Sequence, residues 1–435
     1  MKRIITLFVV AVIASIICNA QEVKSSENWS GRLTVGIIKL NIGFVIYTQT
    51  NGKQICTMNV PEQGAKDIPV KLQKNDSDSL NLSISALRAT YKGRKVSSSS
   101  IDGVFTQNGI SLPLNLKPGG FELKRPQTPT EPFAYTTQEV VFMNDAEGAE
   151  LSGTLTYPMN YENYKKGTVP VVLMVTGSGG QDRNEEIFSH KPFLVIADFF
   201  AKNGIASLRY DDRGIGKSTG PIEGTTTKNN LADAEAGISY LRSLKNFGKV
   251  GVLGHSEGGT IAFMMGANKS IDFLISCAGS AANGIDVIIG QNEAAMKQQG
   301  VPQELINNYI AALKIVYKDR VGRKKVEDKS RYIEDLCQTN NITLPDNFKI
   351  NLMKCITFGD EWLTWFLGYN PADAIRKIKC PVMALNGNLD LQVLSKDNLP
   401  IIKNNLPHNK KNLIKEYDSL NHLLEDLSSF NLFSR

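Results

Sequence analysis

Lys249-Val-Gly-Val-Leu-Gly-His-Ser-Glu-Gly-Gly-Thr-Ile-Ala262 is the stretch that decides the fold. Val250 and Val252-Leu253 form a short apolar, β-branched run, the pattern of a buried strand. Thr260-Ile-Ala-Phe-Met-Met-Gly-Ala267 supplies a small, apolar helix face. Between them, Gly254-His255-Ser256-Glu257-Gly258 fits G-x-S-x-G, a serine on a sharp strand-to-helix turn. Such a turn strains the serine backbone and brings strand and helix so close that side chains at 254 and 258 would collide. The helix N-terminus also aims backbone N–H groups at the space above Ser256, where an oxyanion would form. The plainer reading is a glycine-rich turn whose serine only caps the helix. Strand, turn and helix all fall where the motif demands, and that favours a nucleophilic serine.

Working outward, the 435 residues are enough for about two or three domains. With 42% hydrophobic and 21% charged residues, the composition is that of an ordinary globular protein with a sizeable core. The formal charge of +6 is spread along the chain. No run of Lys and Arg interleaved with aromatics appears, so there is no nucleic-acid footprint.

Met1–Ala20 has the pattern of a signal peptide. Lys2-Arg3 is basic, Ile4–Ile17 is apolar, and Cys18-Asn19-Ala20 ends in a small residue before Gln21. The run is short for a membrane span, so a periplasmic or secreted chain without a stable anchor is expected, its charge falling from +6 to +4 on cleavage. The remaining five cysteines (Cys56, Cys277, Cys337, Cys355 and Cys380) show no C-x-x-C and no metal-ligand spacing. Cys277 and Cys380 lie in apolar runs and read as inert core residues. Cys337 and Cys355 are candidates to pair.

Residues 21–125 alternate apolar and polar with period two, as in Leu33–Leu40, Phe44–Thr48, Gln54–Met58 and Leu80–Ala86, and are punctuated by Asn51-Gly52, Asn108-Gly109 and Pro118-Gly-Gly120. A small all-β domain is expected, a sandwich or partial barrel serving as spacer, dimer surface or active-site wall. Residues 126–137 include three prolines with Arg125 just before them and read as a semi-rigid linker.

From 138 onward strands alternate with helices. A hairpin is expected at Thr137–Met143 and Leu151–Pro158. Strands are expected at Val169–Thr176, Ile205–Tyr210, Val250–Leu253, Phe273–Ala278 and Val382–Leu385, with helices at Pro192–Lys202 and Leu231–Ser243. This order calls for a doubly wound, mostly parallel sheet. About 281–370 is rich in helix formers, including Asn292–Gln299, Pro302–Tyr317 and Lys324–Cys337, and reads as a helical cap inserted after the nucleophile strand.

A serine hydroxyl needs an adjacent base. The chain offers four histidines: His190, His255, His408 and His422. His255 sits in the turn and points elsewhere. On this scaffold the partners follow the nucleophile in the order Ser, acid, His, which disfavours His190. His408 lies in the polar run Pro407–Lys411, whereas His422 follows a strand end at Glu416-Tyr417, so His422 is taken as base and His408 as runner-up. For the acid, Asp390 sits on the loop Asn386–Asp390 just past a strand, with Asp286 as runner-up. Its role is to hold the imidazole tautomer and stabilise the imidazolium. The oxyanion donors are the backbone N–H of Glu257 and that of Ser178 in Thr176–Gly180, where glycines allow close approach. Gly214-Ile-Gly216-Lys217-Ser218 only mimics a phosphate loop, because Asp211 stands where the first glycine belongs.

Together, Val175–Asn184, His190–Phe193, Leu208–Ser218, Gly254–Gly259, Ala384–Gly387, Asp390–Val393 and Leu420–Leu423 carry a family likeness. Over about 138–425 the chain resembles the secreted α/β-hydrolases of the EstD type, related to the serine aminopeptidase and dienelactone hydrolase groups. The resemblance implies an α/β-hydrolase fold and a serine carboxylesterase that needs no cofactor or metal and acts on small-molecule acyl esters. It implies Ser256, Asp390 and His422 as triad, with Asp211-Asp-Arg213 mainly structural. It also implies a terminal helix after the histidine, whereas only thirteen residues follow His422. Two alternatives stand beside the esterase. One is an aminopeptidase, for which Asp360-Glu361 is the acidic pair near the cap aromatics Trp362, Trp365 and Phe366. The other is a non-catalytic binding protein whose shortened C-terminus disables the triad.

Overall fold

In Leu80-Asn-Leu-Ser-Ile84 every second side chain is apolar, and in the computed structural model Leu80, Leu82 and Ile84 are buried while the residues between them are partly exposed. The structure describes residues 23–426 apart from 36–37, 62–64, 108, 121–124, 188, 299 and 357–360. Residues 1–20, expected to be a signal peptide, the end of the tail (427–435) and Asp360 therefore lie outside the described residues. The chain divides into two compact units between Lys124 and Arg125.

The first unit is an antiparallel meander. Its strands are β1 (Val23–Val35), β2 (Ile38–Gln49), β3 (Gln54–Val60), β4 (Ala65–Asn75), β5 (Ser79–Ile84), β6 (Ala89–Ser97), β7 (Ser100–Gln107), β8 (Ile110–Pro113) and β9 (Lys117–Pro118). Each pairs with the next as far as β8, and β9 returns to pair with β1. The segment from β8 to β9 thus joins both edges of the sheet, which closes into a barrel around Phe44, Ile46, Met58, Leu82, Tyr91 and Phe105. Closure removes the unpaired edges that an open sheet would present. Leu33–Leu40, expected as one strand, is instead a hairpin: Leu33 faces Leu40 and Val35 faces Ile38. Opposed residues share a face, so Leu33 and Leu40, an odd seven positions apart, are both buried and the period-two alternation shifts phase between the two strands.

In the second unit the sheet comprises β10 (Thr137–Asn144), β11 (Ala149–Thr156), β12 (Val171–Val175), β13 (Ala206–Tyr210), β14 (Val250–His255), β15 (Leu274–Cys277), β16 (Val382–Gly387) and β17 (Leu413–Tyr417). The order is β10-β11-β13-β12-β14-β15-β16-β17. The β10–β11 hairpin and the β11–β13 pair are antiparallel, and all other neighbours are parallel. This is the mixed, mostly parallel sheet expected of an α/β-hydrolase.

Alternation explains why β12 is apolar throughout. Val171, Leu173 and Val175 pack on one face with Ala234, Ile238 and Leu241 of α2 (Thr227–Ser243) and with Ile261 of α3 (Glu257–Ala267). Val172 and Met174 pack on the other face with Phe193, Ala197 and Phe200 of α1 (Pro192–Lys202). A parallel sheet covered on both faces has no use for a polar position. Local signals set the helix starts. Pro192 stands at the first turn of α1, and Thr226 and Asn229 form a capping box before α2.

Between β15 and β16 lie α4 (Gly284–Gln298), α5 (Gln303–Val321), α6 (Lys329–Thr339), α7 (Asp346–Cys355) and α8 (Glu361–Gly368). The helix expected from Lys324 begins at Lys329, because Asp328 Oδ1 accepts the Arg331 N–H and caps it there. Buried Arg320 ties three cap helices together, donating to Thr364 Oγ1 (3.0 Å) and to the Cys355 carbonyl (2.9 Å). The chain then forms α9 (Ala372–Ile375) and, after β16, α10 (Ser395–Asn405). Cys56, Cys277, Cys337, Cys355 and Cys380 are all free thiols, so Cys337 and Cys355 are not paired. Burial pushes the Cys56 and Cys277 thiols up to about 12.

Candidate active site

The catalytic candidates meet at the C-terminal ends of the parallel strands, where ligands bind in open α/β sheets. β14 runs into Ser256, which has φ 54° and ψ −117°, and α3 begins at the next residue. A β-carbon on Gly254 would lie 1.9 Å from the Gly258 carbonyl oxygen, and one on Gly258 would lie 2.2 Å from that of Val175. Both obstacles are backbone, so only glycine fits. The strain at Ser256 is held in place by the Ser256 N–H, which donates to the Cys277 carbonyl on the neighbouring strand (3.0 Å).

Asp390 and His422 arrive on the loops after β16 and β17. Asp390 Oδ2 and His422 Nδ1 are 2.8 Å apart. The other carboxylate oxygen, Oδ1, accepts the backbone N–H groups of Gln392 and Val393, both at 2.8 Å. Asp390 is buried, and its carboxylate can turn neither way. His422 Nδ1 is thereby occupied and Nε2 is left for a proton from substrate or serine. The Ser256 hydroxyl makes no hydrogen bond among the described residues; such contacts commonly tighten only with substrate bound.

The runners-up are elsewhere. Asp286 is exposed on α4 beside Lys314, at 3.8 Å. His408 is exposed on the loop between α10 and β17. His190 is buried against Gln127, 3.4 Å from its Nε2. Of the acidic pair in the cap, Glu361 is paired with Arg323 at 2.8 Å.

For the oxyanion, the loop after β12 comes close: a β-carbon on Gly177 would lie 3.1 Å from Ser256 Cβ. The Gly177 N–H is already taken by Glu185 Oε1 (2.7 Å), which leaves the next donor, Ser178, for a substrate. Asp212 holds this loop. It accepts the Thr176 hydroxyl at 2.8 Å and the Gln181 N–H at 2.8 Å, and burial raises its carboxyl well above the usual range despite those donors. Asp211 grips Arg183 through N–H, Nε and Nη2. Arg213 makes a buried bidentate pair with Asp233, 2.8 Å on each arm, and Asn144 adds a third bond to Asp233. These three residues act through the scaffold.

Glu257 contributes more than its N–H. Its side chain turns under the cap, where Oε1 accepts the Thr227 hydroxyl (2.6 Å) and the Trp362 Nε1–H (2.8 Å). Burial raises its carboxyl above the usual range. Trp362 stacks on Phe366, and with Val287 they form the apolar underside of the cap.

Residues 147–416 match the family described as X-Pro dipeptidyl-peptidase (S15 family). The chain belongs to the S15 family. It is also 25% identical over 274 residues to Esterase EstD of Thermotoga maritima, a match covering 63% of this chain and 58% of that protein. The EstD-type likeness read from the sequence therefore stands, and the chain spans less than two thirds of its curated relative. Among solved structures, the Pyrococcus furiosus esterase Pf2001 is 16% identical with a TM-score of 0.42, covering 68% of this chain and 88% of that one. Est1E from Butyrivibrio proteoclasticus is 16% identical with a TM-score of 0.40, covering 68% and 95%.

One residue of the candidate site has no sequence signal. Glu185 lies among Asp182, Glu186 and other polar residues, and nothing in that run marks it. In the fold its backbone is left-handed (φ 53°) and its Oε1 lies 2.8 Å from His255 Nδ1. His255 in turn reaches the His422 carbonyl through Nε2, at 2.8 Å. The expectation that His255 points away from the chemistry needs correcting: its ring lies against the ring of His422, centroids 4.8 Å apart.

Proposed function

We propose that this chain is a serine hydrolase that cleaves small carboxylic esters through an acyl-enzyme on Ser256. The observation that carries the reading is the buried Asp390–His422 pair, linked through His255 to the turn that holds a strained serine at a helix N-terminus. His422 Nε2 takes the Ser256 proton as Oγ attacks the carbonyl carbon. The oxyanion is met by the N–H groups of Glu257 and Ser178, each such donor contributing about 3 kcal/mol to the transition state. His422 then protonates the departing alkoxide. Water attacks the acyl-enzyme with His422 again as base, releasing the acid and restoring Ser256.

A peptidase is the second reading, favoured by the family description. A free substrate amine would need an accessible, charged carboxylate under the cap; Glu361 is engaged by Arg323, and Glu257 is buried, bonded to Thr227 and Trp362, with burial raising its carboxyl. Ester cleavage is therefore preferred. The test is hydrolysis of a p-nitrophenyl acyl series and of X-Pro p-nitroanilides by the chain and by Ser256→Ala. Ester turnover that disappears in the variant supports the esterase; anilide turnover alone supports the peptidase. A folded protein inert toward both would sink the reading. Export is likewise our proposal, from residues 1–20, and N-terminal sequencing of the protein outside the cytoplasm would test it; no described helix is long and apolar enough to cross a membrane.

A further inference from the structure

Two ring nitrogens of His255 face two oxygens. Nδ1 faces the Glu185 carboxylate and Nε2 faces the main-chain carbonyl of His422, both at 2.8 Å. A carbonyl oxygen only accepts, so Nε2 must carry a proton. Glu185 Oε1 already accepts the Gly177 N–H, and as an ionised carboxylate oxygen it can only accept again, so with Glu185 ionised Nδ1 carries a proton too. His255 is therefore doubly protonated, and the charge of Glu185 balances it. Both side chains are buried, with side-chain exposures of 7% and 6%. Chemistry and electrostatics agree: burial alone would lower the imidazole, but Glu185 foremost, with the His422 carbonyl and Asp390 behind it, raises it to about 9. The ionisable groups facing His255 are Glu185 from the loop after β12, Asp390 from the loop after β16 and the His422 ring.

We propose that Glu185 and His255 are positioning residues for the base: a charged relay that fixes the main chain of His422 against the nucleophile elbow and the oxyanion loop. One carboxylate oxygen joins the oxyanion loop, through Gly177, to the residue before the nucleophile. That residue joins both to the backbone of the base. Three loops from three strand ends are held in register by three hydrogen bonds, independently of Asp390, which sets only the tautomer and tilt of the His422 ring. A neutral side chain at 185 cannot do this. With its oxygen facing Gly177 it leaves an unbalanced buried cation or costs the bond to His422; with its amide facing Gly177, two donors meet.

The proposal rests on His422 being the base of the serine hydrolase, and the experiment separates the two. The full chain is labelled with 15N-histidine, of which it has four, and imidazole signals are followed from pH 6 to 10. The signal lost in His255→Gln is expected to keep both N–H protons through pH 8; a neutral His255 at pH 7.5 overturns the proposal whatever the activity. In parallel, kcat and KM on p-nitrophenyl butyrate are measured against pH for wild type and Glu185→Gln. A loss of alignment near 1 Å predicts kcat down by about 10- to 100-fold with KM within about twofold. The loss should be larger at pH 8.5 than at pH 6.5, because the alkaline limb moves down from about 9. Equal kcat and superposable profiles would overturn the relay while leaving the serine hydrolase standing. A wild-type chain without turnover would sink the hydrolase reading instead, with the protonation of His255 still decided by the labelled spectra.

Discussion

Replacing Asp390 with Asn changes one atom and should cost far more than its size suggests. Oδ1 of Asp390 accepts two backbone N–H groups, from Gln392 and Val393, each at 2.8 Å. An asparagine must keep its carbonyl oxygen there, because a flipped amide would set two N–H donors against its NH2, at a desolvation cost of about 1–3 kcal/mol for each donor left unmet. The NH2 group then occupies the place of Oδ2, 2.8 Å from His422 Nδ1. Nδ1 must become an acceptor, and the proton moves to Nε2, the atom that has to receive one from Ser256. The base is locked in the wrong tautomer. In a Ser-His-Asp site this costs about 10⁴ in kcat, or about 5.5 kcal/mol. Size and packing are unchanged, so the melting curve should stay close to wild type. Steady-state hydrolysis of a p-nitrophenyl ester, normalised by titrating reactive Ser256 with a fluorophosphonate, measures it. A kcat within tenfold of wild type in a folded Asp390→Asn chain would refute the assignment of Asp390 as the partner of the base.

Three further outcomes follow from buried geometry. Gly258→Ala places a β-carbon 2.2 Å from the Val175 carbonyl oxygen, so the elbow must open; destabilisation of about 3 kcal/mol or more is expected, read as a lower urea midpoint. Asp233→Ala leaves the Arg213 guanidinium buried without its bidentate partner, which should cost about 3–5 kcal/mol, and an unchanged thermal midpoint would contradict it. His255 titrates near 6.5 when unfolded and at about 9 in the fold, because Glu185 outweighs its burial. A raised value stabilises fully below the unfolded pKa, so this contribution of about 3 kcal/mol is complete under pH 6.5, declines above it and is gone beyond about 9. Melting temperature should therefore fall more steeply between pH 6.5 and 9 in wild type than in His255→Gln.

The elbow was legible because its constraints are local. A buried strand, two glycines and a helix start lie within fourteen residues, and each carries its own signature. The Asp390–His422 pairing was legible because four histidines leave few to rank by chain order and Asp390 sits on the loop just past a strand. Glu185 was not, because its meaning comes from a partner 70 residues away in sequence, His255, which itself looked like a spectator. The same holds for Glu257. The motif gives its backbone N–H, but its side chain acquires a role only when Trp362 of the cap comes to it. In the first unit, period-two alternation showed that strands exist, but Leu33–Leu40 reads as one strand only if the phase shift at the adjacent apolar residues Ile37-Ile38 is overlooked. The start of α6 was misplaced because Asp328, a cap, lies inside a run of helix formers.

Arg125 pairs with Glu425, three residues past the base, and both side chains are nearly buried. Asn421 adds a bond to the same carboxylate, at 3.1 Å. A protein chemist dissecting this chain would be tempted to cut at the prolines and express the piece from residue 138. That cut would discard Arg125 and leave Glu425, three residues past the proposed base, without its cation. The piece would then be destabilised around His422 and easily misjudged as a dead enzyme. The safe excision site lies before Arg125, so the stretch that looks like a tether has to travel with the catalytic half.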